Sequence, residues 1–160
     1  MKNYLLILFV LLSMFSSAQT EQADNSTGNE MAKVYRSTDV NLKPQLKNGM
    51  YDLSAFISNN FKFQNITKKK IKIFASFIVE VDGTMTDIKT FHISIKDFPE
   101  SDQVGIQTEE QKKIALEQSE AMKIETQRVL NSFTQRWIPA QKNGKSVRCL
   151  YNYPINFNLE

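Results

Sequence analysis

The residue types that most often perform catalysis or bind metals are scarce in this sequence. Among 160 residues there is one histidine, His92, and one cysteine, Cys149. His92 lies among apolar and hydroxyl residues, which favours a structural role. Cys149 has the inward phase of a strand, where cysteine packs as a small apolar side chain. A zinc site needs several nitrogen and sulfur ligands, so we expect no metal site, no cofactor site and no cysteine nucleophile.

Carboxylates could instead supply acid–base catalysis. Five glutamates are concentrated in one segment with helical periodicity: Glu109, Glu110, Glu117, Glu120 and Glu125. Charges in such a segment normally form the solvated face of a helix rather than a pair in a cleft. The motifs G-x-G-x-x-G, P-loop, G-x-S-x-G and H-E-x-x-H do not occur in the sequence. The sequence therefore predicts a protein that is not an enzyme.

The charge balance argues against a nucleic-acid partner. The formal net charge is +3, and the cluster of lysines at residues 68–72 leads directly into a strand-like run. Such a cluster is typical of a solvated strand entrance. We expect that this protein binds no nucleic acid.

The N-terminus has the three parts of a secretory signal peptide. Lys2 supplies a positive charge, residues 4–15 form an unbroken apolar run, and residues 16–18 are small. The apolar run is shorter than the roughly 20 residues that span a bilayer. We therefore favour a cleaved signal peptide at residues 1–18 over the alternative, an uncleaved membrane anchor.

The remaining chain divides into a short leader and one domain. Residues 19–32 are polar and predict a disordered leader, and residues 33–160 have a globular composition. One cysteine excludes an internal disulfide, so the domain relies on packing. We expect an exported protein in the periplasm, or secreted, without stable membrane insertion.

Periodicity and capping signals predict two helices. Apolar residues at helical spacing indicate a first helix over residues 53–61, with Asp52 as its N-cap. Thr108 and Gln111 have the spacing of a capping box, which opens a second helix that runs to about residue 133. A loop at residues 97–107 precedes this second helix.

A period of two predicts the first strand, residues 71–81, with one face in the core. The inward set is Ile71, Ile73, Ala75, Phe77, Val79 and Val81, and it alternates with Lys72, Phe74, Ser76, Ile78 and Glu80. Asp82–Gly83 then indicates a type I′ hairpin turn, in which both central residues have positive φ. The return strand, residues 84–95, needs a bulge between Met85 and Ile88 to keep its apolar phase.

The final strand, residues 146–159, follows a second turn at Asn143–Gly144. The long helix returns the chain so that this strand runs parallel to the second strand of the hairpin and pairs beside the first. The expected fold is therefore α+β, a three-stranded antiparallel sheet of spatial order 2-1-3 packed against two helices. The final strand is an edge, which agrees with Pro154, since proline has no N–H to donate in a central strand.

Collinear segments between residues 34 and 159 together resemble the C-terminal domain of TonB, in the form common among Bacteroidetes-type proteins. The matching segments are Val34-Tyr35, Pro44-Gln45-Leu46, Asn48-Gly49, residues 56–61, residues 77–83, residues 86–89, Arg128-Val129-Leu130, residues 137–145, Val147-Arg148 and residues 153–157. The domain of that family is a three-stranded antiparallel sheet packed on helices, which agrees with the order of elements above.

The resemblance implies that a partner binds by strand addition. An extended segment of an outer-membrane TonB-dependent receptor, or of another envelope protein, would pair with the backbone of the edge strand. In this sequence the implied pairing stretch is Val147, Arg148, Cys149, Leu150, Tyr151 and Asn152. Two alternatives stay open: a structural envelope protein that homodimerises through the same edge, and an edge that only completes the fold, blunted by charge and proline.

The sequence also departs from TonB in features that bear on function. TonB has a transmembrane helix and a long spacer, whereas this sequence has a predicted signal peptide and a short leader. We therefore expect binding without energy transduction. The loop between residues 94 and 111 is longer than is usual in the family, and its role is left open.

Overall fold

Two helices and seven strands make up the part of the chain that the structure describes. The structure is a computed structural model, and it describes residues 33–63, 66–97 and 108–160. In chain order the elements are β1 (Val34–Arg36), β2 (Gln45–Leu46), α1 (Tyr51–Asn60), β3 (Lys69–Val79), β4 (Met85–Asp97), α2 (Glu109–Asn131), β5 (Trp137–Ile138), β6 (Ala140–Lys142) and β7 (Lys145–Leu159). The predicted signal peptide and leader lie outside the described residues, as does the loop at 98–107. No helix in the described ranges has the length and apolarity to cross a membrane.

Strand β3 is the centre of the main sheet and pairs antiparallel with both β4 and β7. Its alternate residues point into the core and are fully or almost fully buried: Ile71, Ile73, Ala75, Phe77 and Val79. The spatial order β4-β3-β7 is the predicted 2-1-3 order, and the mixed α+β class is confirmed. This result was accessible from sequence because the inward residues of β3 recur at every second position along one short segment.

The prediction of a three-stranded sheet is wrong, because two short strands also pair with β7. β1 pairs with it in parallel, with Val34–Arg36 opposite Arg148–Leu150. β6 pairs antiparallel, with Ala140 opposite Val147. Strands of three residues are too short to show a period of two, and the parallel pair joins segments more than 100 residues apart in sequence. A separate two-stranded pair, β2 with β5, was not predicted either.

Both helices contribute to a core on one face of the sheet. This core contains Leu53 and Ile57 of α1 and Met122, Val129 and Leu130 of α2. The predicted capping box of α2 is confirmed: Thr108 accepts from the Gln111 backbone, and Gln111 Oε1 accepts from the Thr108 N–H. The helix ends at Asn131, slightly before the predicted residue 133.

The predicted N-cap of α1 is wrong. The helix starts at Tyr51 rather than Leu53, and its N-cap is Met50, which makes no side-chain capping bond. Asp52 instead lies in the first turn, where a carboxylate interacts favourably with the helix dipole. Its Oδ2 accepts hydrogen bonds from Asn48 at 3.0 Å and from Gln135 at 2.8 Å. Asp52 therefore joins the start of α1 to the segment that follows α2.

Both predicted turns and the predicted bulge are present, but the type of the first turn differs from the prediction. The turn at Asn143–Gly144 is present, with φ of 51° and 76°. The bulge predicted between Met85 and Ile88 is also present and places Asp87 at φ 49°. The type I′ prediction for the first hairpin is wrong, because only Gly83 has positive φ there. Asp82 keeps negative φ and its Oδ1 accepts hydrogen bonds from the backbone and hydroxyl of Thr84.

The β3–β4 turn is in direct backbone contact with Trp137. Gly83 has φ 81°, and a Cβ built on it would lie 2.2 Å from the Trp137 carbonyl oxygen. The Gly83 carbonyl also accepts a hydrogen bond from the Trp137 N–H at 2.9 Å. The indole ring is buried against Phe77 and Tyr151, with ring centroids 5.4 and 5.2 Å away. This contact therefore joins the β3–β4 turn to the segment that follows α2. Trp137 also pairs with Leu46 of β2.

Substituting Gly83→Ala should destabilise the fold strongly. The new Cβ overlaps a backbone carbonyl that cannot rotate away, and alanine also disfavours positive φ. We expect a loss of about 3 kcal/mol in the free energy of unfolding, measured by urea denaturation.

Gly144→Ala is the matched control for this prediction. Gly144 has φ 76°, but nothing lies within 4 Å of its added Cβ. The only cost of alanine at this position is therefore the strain of a positive φ. We expect a loss of about 1 kcal/mol. Equal losses at the two glycines would contradict the role of the Trp137 contact.

Candidate functional site

Strand β7 is partly covered and partly open on the side away from β3. β3 pairs with its residues from Cys149 to Leu159. On the other side, β1 covers Arg148–Leu150. From Tyr151 to Leu159, no strand among the described residues pairs with this outer side. The outer side of β7 beyond β1 is therefore an open sheet edge.

The structure divides the pairing stretch predicted from sequence. Val147 pairs with Ala140 of β6, and Arg148, Cys149 and Leu150 are already paired with β1. Tyr151 and Asn152 belong to the open part of the edge. The sequence did not predict that β1 pairs with β7, because β1 is short and distant in sequence. It indicated only that the residues around Val34 are extended.

Side-chain contacts of its own hold β1 in place. Tyr35 is buried, with 8% of its surface exposed. The ammonium groups of Lys33 and Lys142 lie 5.0 and 4.5 Å from the centroid of its ring. Cation–π contacts of this kind stabilise by about 0.5–1 kcal/mol at exposed sites. The pairing of β1 with β7 is thus supported by packing as well as by the backbone.

Arg148 is committed to an internal ion pair. Its Nε and Nη2 lie 2.6 and 2.8 Å from the two carboxylate oxygens of Glu80. Both side chains are mostly buried, with 28% and 19% of their surfaces exposed. The Arg148 guanidinium lowers the pKa of Glu80 below its ordinary value of 4.5, burial opposes that shift, and the hydroxyl of Thr86 supports it. This bidentate pair ties the end of β3 to the start of β7.

Substituting Glu80→Gln should reduce stability in a pH-dependent way. The pKa of Glu80 is lowered in the folded state, so its contribution is present above the unfolded pKa and is lost as pH falls through the folded pKa. We expect the variant to be less stable by about 1–2 kcal/mol at pH 7. The difference from the parent protein should shrink below about pH 4.5 and vanish in stronger acid.

Urea denaturation between pH 3 and pH 7 measures this difference. The matched control is Glu120→Gln, which removes the exposed pair with Lys123 on α2. That variant should lie within about 0.5 kcal/mol of the parent protein at every pH. A difference for Glu80→Gln that stays constant down to pH 3 would contradict the ionic origin of its effect.

Pro154 shows which backbone groups of β7 face outward. It lies opposite Phe74 of β3 and has no N–H to donate. In an antiparallel ladder, hydrogen-bonding residues alternate, so the bonds to β3 come from Tyr153 and Ile155. The backbone groups of Asn152 and Asn156 consequently point away from β3. They provide N–H donors and carbonyl acceptors along the open edge.

A groove lies beside the open edge, between β7 and α1. Its volume is about 190 Å³, and it is lined by Ser54, Ile57 and Ser58 of α1 and by residues 153–157 of β7. Ile57 is 1% exposed, so the surface of the groove is more polar than apolar. The Ser54 hydroxyl donates to the Tyr51 carbonyl within α1. Sequence reasoning missed this groove, although Ser54 and Ser58 at i and i+4 share one face of a predicted helix.

The inner face of β7 packs on the core, which fixes the direction of the edge. Phe157 packs against Phe61 and Phe63, with centroids 4.8 and 4.9 Å apart. Burial raises the pKa of Tyr151 and Tyr153. Rigid elements position a binding site better than loops do.

Neither Cys149 nor His92 lines the groove beside β7. Cys149 is fully buried and burial raises the pKa of its thiol, as its predicted inward phase requires. His92 is exposed rather than packed in the interior, and its ring centroid lies 5.7 Å from that of Phe74. Within the described ranges, no three His, Cys, Asp or Glu side chains are grouped as a metal site requires. The open edge offers backbone hydrogen bonds and the groove offers a mainly polar surface, and an extended chain can use both.

Comparison with known proteins adds no relative: no family model, no curated protein and no solved structure matches this chain.

Proposed function

We propose that this protein is a periplasmic binding module similar to the C-terminal domain of TonB. It binds an extended segment of an envelope protein by adding that segment as a strand to β7. The observation that carries the proposal is the outer side of β7 from Tyr151 to Leu159, which none of the described strands covers and which lies beside a groove. The partner class, an outer-membrane TonB-dependent receptor, is proposed from the motif resemblance.

We propose a pairing stretch that differs from the one suggested by the sequence. Arg148–Leu150 already have β1 as their outer neighbour, so an added strand meets free backbone only beyond Leu150. The proposed stretch is therefore residues 151–159, which keeps Tyr151 and Asn152 from the original set. A strand of this length extends about 30 Å, enough for several backbone hydrogen bonds.

The groove beside the edge supplies side-chain selectivity. In an added strand, alternate side chains point toward the helix layer and the other set points toward the open face of the sheet. A side chain on the helix side enters the groove above Ile57, between Ser54 and Ser58. The polar lining suits a small polar side chain. The Ser54 hydroxyl, which donates to the Tyr51 carbonyl, can accept from such a side chain, and the Ser58 hydroxyl can accept or donate. Backbone pairing provides affinity, and this groove selects the sequence.

Substituting Asn156→Pro should weaken strand addition without unfolding the domain. Proline at this position removes an N–H that faces outward, and Pro154 shows that the strand accommodates proline at this phase. We expect the dissociation constant to rise about tenfold, which corresponds to one backbone hydrogen bond and its local geometry. The probes are fluorescent peptides that match the N-terminal segments of the receptors encoded in the same genome, and fluorescence anisotropy measures their binding.

Asn156→Ala is the matched control, since it removes the side chain but keeps the backbone N–H. Its dissociation constant should stay within about twofold of the parent value. Sedimentation of the parent protein tests the alternative of homodimerisation. A dimer that Asn156→Pro dissociates, with no peptide bound, would replace the receptor proposal by self-association. A monomer that binds no peptide would refute both readings.

A further inference from the structure

The face of the sheet opposite the helices carries an ordered set of exposed side chains. Antiparallel register places residues of β4, β3 and β7 in rows across this face. Three central rows are Ser94–Lys72–Asn156, His92–Phe74–Pro154 and Lys89–Ser76–Asn152. We call this surface the open face. Its outer rows on β4 and β7 are largely exposed to solvent.

The centre of the open face is aromatic. At a register shift, His92 lies opposite Phe74 and Thr90 lies opposite Ala75, so Phe91 is the extra residue of β4 between them. Both rings approach Phe74, with centroids 6.0 and 5.7 Å from it. Phe91 is 60% exposed, although the solvated face of an antiparallel sheet normally carries polar residues. Bulges often re-aim side chains toward a ligand.

Positive charge surrounds these rings. The Lys72 Nζ lies 5.1 Å from the Phe74 centroid, and Lys89 and Lys96 share the same face of β4. The acidic residues of β3, β4 and β7 are Asp87 and Asp97. Asp87 is paired with Lys89 at 2.8 Å, and Asp97 lies in the row of Lys69, which belongs to the opposite face. The strands therefore present an excess of cations on the open face.

Strand β7 adds a line of carboxamides to the open face. Asn152, Asn156 and Asn158 are exposed and share the phase of Pro154. Each carboxamide offers two donors and one acceptor. Successive residues of one phase lie about 7 Å apart along a strand. This spacing gives a row of groups that can both donate to and accept from hydroxyls.

We propose that the open face binds an acidic polysaccharide, a chain of sugars that bear carboxylate or sulfate groups. The apolar face of a sugar ring packs on Phe91, hydroxyl groups bond to the asparagine carboxamides, and the acidic groups lie near Lys72 and Lys96. This ligand class uses the aromatic, amide and cationic groups together. The proposal is independent of strand addition at the edge of β7.

Other polyanions match this surface less completely. Single-stranded nucleic acid is bound by several aromatic platforms, one for each successive base, whereas the exposed rings on the described part of this face, Phe91 and His92, are neighbours in β4 and form one platform. An acidic peptide would satisfy the lysines but has no repeated ring for Phe91 and few hydroxyls for the asparagines. Charge complementarity alone therefore does not account for the composition of the face.

Affinity electrophoresis with polygalacturonate cast in a native gel tests the proposal at 0.15 M salt. We expect the protein to be retarded, and Phe91→Ala and Lys72→Gln each to raise the dissociation constant about tenfold. The matched controls are Tyr51→Ala, an aromatic residue on α1 with 76% of its surface exposed, and Lys113→Gln on α2. These controls should remain within about twofold of the parent protein.

Three comparison polymers decide what is recognised. Neutral dextran should retard the protein little, and poly-glutamate and a thymidine oligonucleotide should bind more weakly than polygalacturonate. Retardation by poly-glutamate equal to that by polygalacturonate would reduce the effect to charge and overturn the proposal. Tighter binding of the oligonucleotide would assign the face to nucleic acid instead. Absence of retardation by polygalacturonate, or equal losses in the control variants, would also overturn it.

Discussion

The backbone contact between Gly83 and Trp137 is the constraint on which the rest of the structure depends. It requires a residue without Cβ at the tip of the first hairpin, because a Cβ there would lie 2.2 Å from the Trp137 carbonyl oxygen. With the Trp137 backbone at this position, the indole packs against Phe77 of β3 and Tyr151 of β7. The segment that leaves α2 is thereby directed into β6 and β7. This contact brings the chain to the place where β7 pairs with β3 and forms the candidate edge.

β7 contributes to both the core and the surface, because the side chains of a strand point to its two faces and its backbone groups point to its edges. Its inward side chains, such as Ile155 and Phe157, fasten it to the core. Its backbone on the outer side stays available beyond the three residues that β1 covers. Arg148, which would be exposed on a simple edge strand, instead closes an ion pair with Glu80. The first part of β7 is thus structural, and the second part is the one that we propose for binding.

The two proposed surfaces meet along the same strand without using the same groups. Backbone N–H and carbonyl groups of Asn152 and Asn156 lie in the plane of the sheet and point to the edge. Their side chains stand perpendicular to that plane and belong to the open face. A strand partner and a polysaccharide therefore contact different atoms of these residues. Asn156→Ala and Asn156→Pro separate the two contributions, because only proline removes the N–H.

Local patterns in the sequence determined β3, its hairpin partner, the bulge at Asp87, the capping box of Thr108 and the inward phase of β7. Each of these depends on residues close together along the chain, so periodicity and turn chemistry suffice to predict them. The edge itself could be predicted only in part. Tertiary structure decided that β1 covers Arg148–Leu150 and that Glu80 forms an ion pair with Arg148. It also decided that a groove lies beside α1 and that Phe91 packs near Phe74 on the open face. These features bring together segments distant in sequence, and pairing across such distances depends on the packing of the whole domain rather than on any local signal.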